Sequence, residues 1–324
     1  MDRLPSYDEL PVEEGKPAGS SWGLWGEDDV LGCLNLLTPE RALRGTGLVN
    51  RGAVFALCFD LELPDPPLFG RMAFEHRVSW LQGEVGHDDE LVGWNPQSSS
   101  QWDGFRHIRH PVHGFYNGVA DDDHGVHHWA ERGLVGRGVL ADIGRWREAR
   151  GRPLQMDQAD PIESHELTAT LSDQGVEVEP GDILLVRTGW VRWYRSLDEA
   201  GRRHLAENHQ NPGMRPGGDL LRTLWDLHIA AVAADNPSLE LWPPGAGQSS
   251  DQLSKAFSSP EHLPEYFAHF GLLPLLGMPI GEMWDLEALA ADCAGDGVYD
   301  FLLTSAPLRL RSGVASPPNA LAVK

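Results

Sequence analysis

Cysteine is scarce in this chain, and the little there is forms no pattern. The 324 residues hold three cysteines, Cys33, Cys58 and Cys293, which are far apart and odd in number. Their spacing matches neither a zinc-binding pair nor a disulfide framework, and such sparse usage fits a reducing compartment. Long apolar runs are missing too: none approaches the roughly 20 residues needed to span a bilayer. The opening "MDRLPSYDELPVEEGKP" has no apolar stretch of the kind a signal peptide carries, so the expected location is the cytoplasm. Basic residues are in deficit, 26 Lys and Arg against 48 Asp and Glu, for a net charge of −22. A nucleic acid would be repelled before any contact formed, and an anionic membrane surface is disfavoured for the same reason. There is no internal repeat and no glycine-rich phosphate loop of either standard spacing. The acidity itself is mainly a matter of solubility and does not reveal the substrate.

The length allows a sizeable core. Residues 1–20 are rich in Pro, Gly and acids and are expected to form an arm, lying on the surface or on a partner subunit; residues 21–324 would then be one catalytic domain. "LLTPERALRG" predicts a short helix with Thr38 as N-cap and Pro39 as its first residue. "GAVFALCFDLEL" (Gly52 to Leu63) predicts a strand. The region from Pro64 to Gly104 is polar, Trp-bearing and nearly aperiodic, and loops that long in a compact domain are usually functional. Beyond residue 130 strands and helices alternate: "GRGVLADI", "GDILLVRTGW" and "IAAVAADNP" as buried strands, and "GGDLLRTLWDLH" as an amphipathic helix with Leu220, Leu221, Leu224 and Trp225 on one side. A helix in "DPIESHELTATLSDQG" would be capped by Asp160 or Ser164 and closed by Gly175. Near the end, "DLEALAADCAGDG" is a helix and "YDFLLTSAPLRL" a strand. This order predicts an α/β domain whose sheet is covered on both faces.

Three stretches could carry chemistry. In "QSSSQWDGFRHIRHP" (Gln97 to Pro111), Asp103 and His107 stand four apart, a spacing that on a helical turn puts both side chains on one face. A carboxylate and an imidazole so placed could meet at a metal or a reacting carbonyl; the alternative is a capping Asp and a surface His. "DDDHGVHHWAERG" offers His124, His127 and His128 behind three aspartates, and an acidic turn leading into a helix, with Asp123 or a neighbour as N-cap, is the favoured reading. In "HFGLLPLLGMPIGEMWDLE", His269 and Glu282 bracket an apolar segment, a carboxylate at the end of an apolar strand being a common active-site arrangement.

The chain resembles the metal-dependent cyclase family, which includes bacterial kynurenine formamidase and isatin hydrolase. The family motif is His-x-Gly-Thr-His-x-Asp-x-Pro-x-His. With its aspartate on Asp103, its last histidine falls on His107, and its first two histidines fall on Gln97 and Gln101. "WGLWGEDDVLGCLNLLTPERA", "GRGVLADI", "GDILLVRTGW", "AAVAADNPSLE", "LLPLLGMPIGEMWDL" and "SPPNALAVK" also look like the family, so the likeness runs along nearly the whole chain. It implies a single swivelling β/α/β-type domain with a mixed central β-sheet covered by helices, assembled as a homodimer or homotetramer. It further implies a metal site, for which Asp103, Gln101, His269 and Glu282 are the candidate ligands, and an acid/base role for His107.

The departure from the motif has a chemical consequence. A carboxamide oxygen is a poorer and harder ligand than imidazole nitrogen, which favours one ion per chain, Mn2+ or Zn2+, over a zinc pair. His110, His113, His124, His127 and His128 lie close enough in sequence to replace the lost imidazoles. Gln97, Gln101, Trp102, Trp80 and Trp94 are the candidate substrate contacts, although tryptophans in such a region serve core or interface packing more often. The expected activity is metal-assisted hydrolysis of a small cyclic or acylated compound (amide, lactone or formamide). The alternatives are a metal-poor lyase, dehydratase or cyclase working through Asp103 and His107, or a ligand-binding relative without enzyme activity.

Overall fold

A computed structural model describes residues 3–246, 249, 251, 254 and 258–324. The strands are β1 (Val54–Ala56), β2 (Glu75–Trp80), β3 (His87–Val92), β4 (Gln101–Asp103), β5 (Leu134–Asp142), β6 (Pro161–Ile162), β7 (Ile183–Arg187), β8 (Gly213–Met214), β9 (Ala231–Ala234), β10 (Ile280–Glu282), β11 (Asp300–Ser305), β12 (Ala315–Ser316) and β13 (Ala320–Val323). Nine of them form a mixed sheet in the order β1-β13-β11-β5-β7-β9-β10-β4-β12. Its centre, β5-β7-β9-β10, is parallel, and both flanks are antiparallel. The fold is therefore α/β around a mixed central sheet, as the alternation and the resemblance both imply.

The central strands are legible because both their faces are covered. "ILLVR" in β7 and "AVAA" in β9 are buried at every position, so they appear as continuous apolar runs, whereas β11 alternates buried and half-buried residues. The helix Gly218–Asp226 buries Leu220, Leu221, Leu224 and Trp225. The residues ahead of residue 20 lie on that same helix: Trp225 Nε1 donates to the Pro5 carbonyl at 2.9 Å, the Tyr7 N–H donates to Asp226 at 2.7 Å, and Arg222 pairs with Asp8 at 2.6 Å. The helix Pro39–Thr46 begins as its sequence dictates, with the Thr38 hydroxyl accepting from the Arg41 N–H. All three cysteines are free.

Other expectations need correction. Of the strand expected from Gly52 to Leu63 only β1 forms. Beyond it the chain leaves β13 and crosses to an isolated bridge between Cys58 and Trp284, where Phe59 N–H is held by the Ser100 hydroxyl. The region 64–104 is not structureless, for it contains the β2–β3 ribbon and β4. The helix after residue 160 is Ser164–Asp173, capped by Glu163 rather than Asp160 or Ser164. Pro161 and Ile162 are drawn into β6 beside β8, which postpones the helix. Gly125, not Asp123, precedes the helix Val126–Arg132.

The carboxyl ends of the parallel strands are tied by charge. Arg187, 2% exposed at the end of β7, donates to Asp142 at 2.7 Å and by two bonds to Glu287 at 2.8 and 2.9 Å. Asp235, just past β9, accepts from the N–H groups of Thr188 and Gly189 and from the Thr188 hydroxyl, each at 2.7 Å. Removing Arg187 would leave Asp142 to Arg145 alone, 3.0 Å away, and take from Glu287 its guanidinium partner; breaking a buried pair in this way costs about 3–5 kcal/mol. Arg187→Leu is thus expected to lose stability of that size in urea unfolding, and a loss below about 1 kcal/mol would show that the cluster relaxes without its cation.

Candidate active site

Strand β4 delivers the first two side chains. Gln101 and Asp103 point to one face and Trp102 to the other, as the period of two requires. Antiparallel β10 lies alongside in the register Ile280↔Asp103, Gly281↔Trp102 and Glu282↔Gln101. On its other side Gly281 lets β10 lie close against β9: a Cβ there would lie 2.5 Å from the Ala233 methyl carbon and 2.8 Å from Trp284. Gln101 and Glu282 are direct cross-strand neighbours, and Gln101 Nε2 donates to Glu282 at 2.6 Å and to Asp103 at 3.1 Å.

His107 lies beyond the strand in a turn closed by its own N–H on the Gly104 carbonyl at 2.8 Å. The expected helical face is absent; a strand end followed by a turn brings Asp103 and His107 together instead. Gln97 bridges them, its Nε2 lying 2.6 Å from Asp103 Oδ1 and 3.0 Å from His107 Nδ1. His269 opens the short helix His269–Leu272 and does meet Glu282, with Nε2 at 3.2 Å from that carboxylate and 3.8 Å from Asp103. Its other nitrogen, Nδ1, is 2.8 Å from Glu240. This arrangement, a carboxylate behind an imidazole, fixes which nitrogen faces the site.

The ligand atoms of Asp103, His107 and His269 lie within 4.8 Å of one another. None of the other histidines joins this group among the described residues. His110 stacks on His113 at 4.6 Å, His124 is buried against the Tyr116 carbonyl, and His127 and His128 are held by Ser312 and Asp123. The tryptophans divide. Trp102 packs in the core against Trp284 and Trp129 and donates to Ser305. Trp80 stacks on His87 in the exposed ribbon, and Trp94 is half-buried near the ribbon's base.

Three residues at the site escaped the sequence reading. Glu240 is one; it stands in "NPSLE" just after β9, at the carboxyl edge of the sheet, and that position was the available signal. Arg71, which donates to the Gln97 carbonyl, is another. The third is His209, which belongs to an aromatic wall with Phe69 (4.7 Å between ring centres) and Trp242 (6.1 Å). Trp242 continues the wall to Phe267, which lies flat on His269 at 4.5 Å. Nothing local in the sequence marks those two.

Burial and charge set the protonation states. Burial alone would raise the Asp103 carboxyl, but His107 and His269 outweigh it and hold Asp103 well below the carboxylate range. Burial and the Asp103 charge push Glu282 up to about 7 against the pull of His269. His107 is lowered by burial, with Asp103 opposing. Burial would also lower His269, yet Glu240, Asp103 and Glu282 together raise it well above the usual range. Three buried carboxylates thus surround one imidazole, and Gln101 Oε1 and Glu240 Oε2 are buried without a hydrogen-bond partner. A donor set of oxygen and imidazole nitrogen with surplus negative charge fits a divalent cation.

The Cyclase family model matches residues 55–241, more than half of the chain. The chain belongs to the cyclase family. A solved structure described as that of a novel cyclase is 31% identical, covering 94% of this chain and 99% of its own, with a TM-score of 0.77. Isatin hydrolase A from Labrenzia aggregata, solved with benzyl benzoate, is 17% identical over 87% of this chain and 97% of its own, TM-score 0.55. An isatin hydrolase bound to the product analogue thioisatinate is also 17% identical, over 88% and 98%, TM-score 0.54. At that identity the two hydrolases speak to the fold alone. No curated protein sequence matches. None of the helices described is long and apolar enough to cross a membrane.

His209 generates a test of the aromatic wall. Neither ring nitrogen has a hydrogen-bond partner, and burial pushes the ring down to about 4, with Asn211 only partly opposing. A histidine whose folded value lies below its unfolded value adds stability above about pH 6.5, and that stability drains away as the pH falls towards 4. The contribution at stake is roughly 2–3 kcal/mol. His209→Phe should therefore flatten the pH dependence of urea unfolding between pH 7 and 4.5, and an unchanged slope would remove His209 from the acid sensitivity.

Proposed function

We propose that this cyclase-family protein is a metal-assisted hydrolase of a small cyclic or acylated substrate, with an amide, lactone or formamide bond as the one cleaved. The observation that carries the reading is the convergence of Asp103, His107 and His269, with Gln101 and Glu282 beside them, on one buried point with surplus negative charge. Asp103, His269, Glu282 and the free Oε1 of Gln101 would hold a divalent ion there, manganese favoured over zinc by the hardness of the oxygens, and when bound it would supply Lewis acidity towards a substrate carbonyl.

The remaining work falls to side chains. His107, kept neutral by burial, accepts the proton of the attacking water and returns it to the leaving nitrogen or oxygen. Gln97 Nε2 lies against its Nδ1, which is therefore the nitrogen with the lone pair, so the proton is taken up at Nδ1 once that amide is displaced, while Nε2 keeps its own hydrogen. Asp103 stays ionised and stabilises the imidazolium that forms at His107. Glu240 holds His269 in one orientation through Nδ1. The wall of Phe69, Trp242 and Phe267 keeps bulk water from the reacting bond and offers flat apolar surface to a planar substrate.

A second reading rests on the glutamines. Both N–H bonds of each are directed at Asp103, His107 and Glu282, so the carboxylates already have donors. A metal-poor lyase, dehydratase or cyclase could then work through Asp103 and His107 as a proton-transfer couple. In either case the protein acts on a small molecule, in the cytoplasm.

Asp103→Asn and His107→Ala should each lower turnover by at least about 100-fold across a panel of small lactones, formamides and cyclic amides, with unchanged melting curves; near-wild-type rates in both would sink the assignment. Elemental analysis of protein purified without a histidine tag should find at most about one divalent ion per chain. Manganese should restore activity after chelation at least as well as zinc. Two tightly held zinc ions would contradict the single-ion site, and turnover indifferent to chelation would favour the second reading.

A further inference from the structure

Among the described residues Arg71 is a cation without an anion. The chain carries 48 acidic residues against 26 basic ones, yet no described carboxylate comes within ion-pair distance of this guanidinium. Its one hydrogen bond runs from Nη1 to the Gln97 carbonyl, so Nε and Nη2 have nothing to donate to among the described residues. Gln97 is the residue whose amide touches both Asp103 and His107, and the unpaired charge therefore stands one residue from the acid/base pair. Its field reaches Asp103, His107, Glu282 and His209. A mere counterweight to the buried carboxylates would pair with one of them, as Arg187 does with Asp142. Arg71 stays clear of them all.

The backbone is bent to put it there. Phe69 has a φ of 59° and Gly70 of 67°, two left-handed residues in succession, and the turn closes with the Arg71 N–H on the Leu68 carbonyl at 3.2 Å. A bulky residue in that region is strained, and such strain persists where the surroundings impose it, commonly at ligand clamps. Here the Phe69 ring is pinned edge-on against His209 at 4.7 Å and Trp242 at 5.0 Å. The same ring holds the guanidinium carbon of Arg71 5.0 Å from its centre, which restrains a long side chain before any ligand arrives. Phe69, Trp242 and Phe267 are each half-buried, so the wall leading from Arg71 to His269 keeps aromatic surface open along its length.

We propose that Arg71 binds a carboxylate carried by the substrate, a flat aromatic acid whose ring lies on the Phe69–Trp242–Phe267 wall with its scissile carbonyl at Asp103, His107 and His269. The proposal rests on the reading of this site as a small-molecule hydrolase and adds the substrate class. A guanidinium presents parallel N–H groups that match the two oxygens of a carboxylate. A dianion such as a phosphate monoester would bring a second negative charge towards Asp103 and Glu282, which one cation does not offset.

Isothermal titration calorimetry of the full chain with benzoate and with benzamide reads the clamp apart from the chemistry. The wild type should bind benzoate at least about tenfold more tightly than benzamide. Arg71→Gln, which keeps a donor for the Gln97 carbonyl and removes the charge, should abolish that preference with an unchanged melting curve. Arg71→Lys, a point charge without the fork, should keep part of it. In turnover, kcat/KM for formamidobenzoates over that for their methyl esters should favour the acids, and Arg71→Gln should lower that ratio at least about tenfold. Benzoate bound no more tightly than benzamide overturns the proposal. So does a preference that survives Arg71→Gln, as it would if the carboxylate sought the metal ligands instead. If the preference depends on Arg71 while no formamide is cleaved, the carboxylate site stands and the hydrolase reading falls. If acids and esters are cleaved alike, with or without Arg71, the hydrolase reading stands and the carboxylate site falls.

Discussion

Surplus negative charge buried between β4 and β10 is the constraint around which this site is arranged. Asp103, Glu240 and Glu282 have been taken out of water, and a buried carboxylate is tolerated only with donors or cations around it. His269 answers with a proton affinity that all three raise, the glutamine N–H groups answer with hydrogen bonds, and Arg71 contributes its field from beside Gln97. These responses leave Gln101 Oε1 and Glu240 Oε2 as acceptors with nothing to accept from. The architecture follows the same logic, for the short antiparallel pairing of β4 with β10 sets Gln101 against Glu282 at the register where a donor faces an acceptor.

The two glutamines gain meaning from that register. As replacements for imidazoles they looked like the loss of two ligands. In the fold they serve as neutral double donors, Gln97 between Asp103 and His107, Gln101 between Asp103 and Glu282. An imidazole has one N–H in its neutral form and could not make both bonds without becoming charged.

What could be read from residue order was whatever a single element carries alone. The apolar runs of β7 and β9 are visible because both faces are covered, and the helix at Leu220 because its apolar stripe is unbroken. Asp103, His107, His269 and Glu282 were found through a resemblance that spans the chain, since no spacing rule joins residue 107 to residue 269. β1 was over-extended because a bend toward Trp284 leaves Leu57 and Phe59 as buried as strand residues. The β2–β3 ribbon was missed for the opposite reason: with no core against it, its alternation is diluted by charge. Glu240, Arg71 and His209 act through neighbours distant in sequence, and only the sheet order brings them to the site.

That sheet order also governs when the site can exist during folding. Gln101 and Glu282 are 181 residues apart along the chain, and β4 is joined to the parallel core only through β10. Local helices and the β5–β7–β9 core can form before this long loop closes, because distant contacts wait on the entropy of closure. The carboxylates are therefore solvated and harmless on the partly folded chain, and their mutual repulsion arises only when β4 pairs with β10. An ion or a proton captured at that moment would act as a latch on that pairing, so ligand binding and this step of folding are thermodynamically linked.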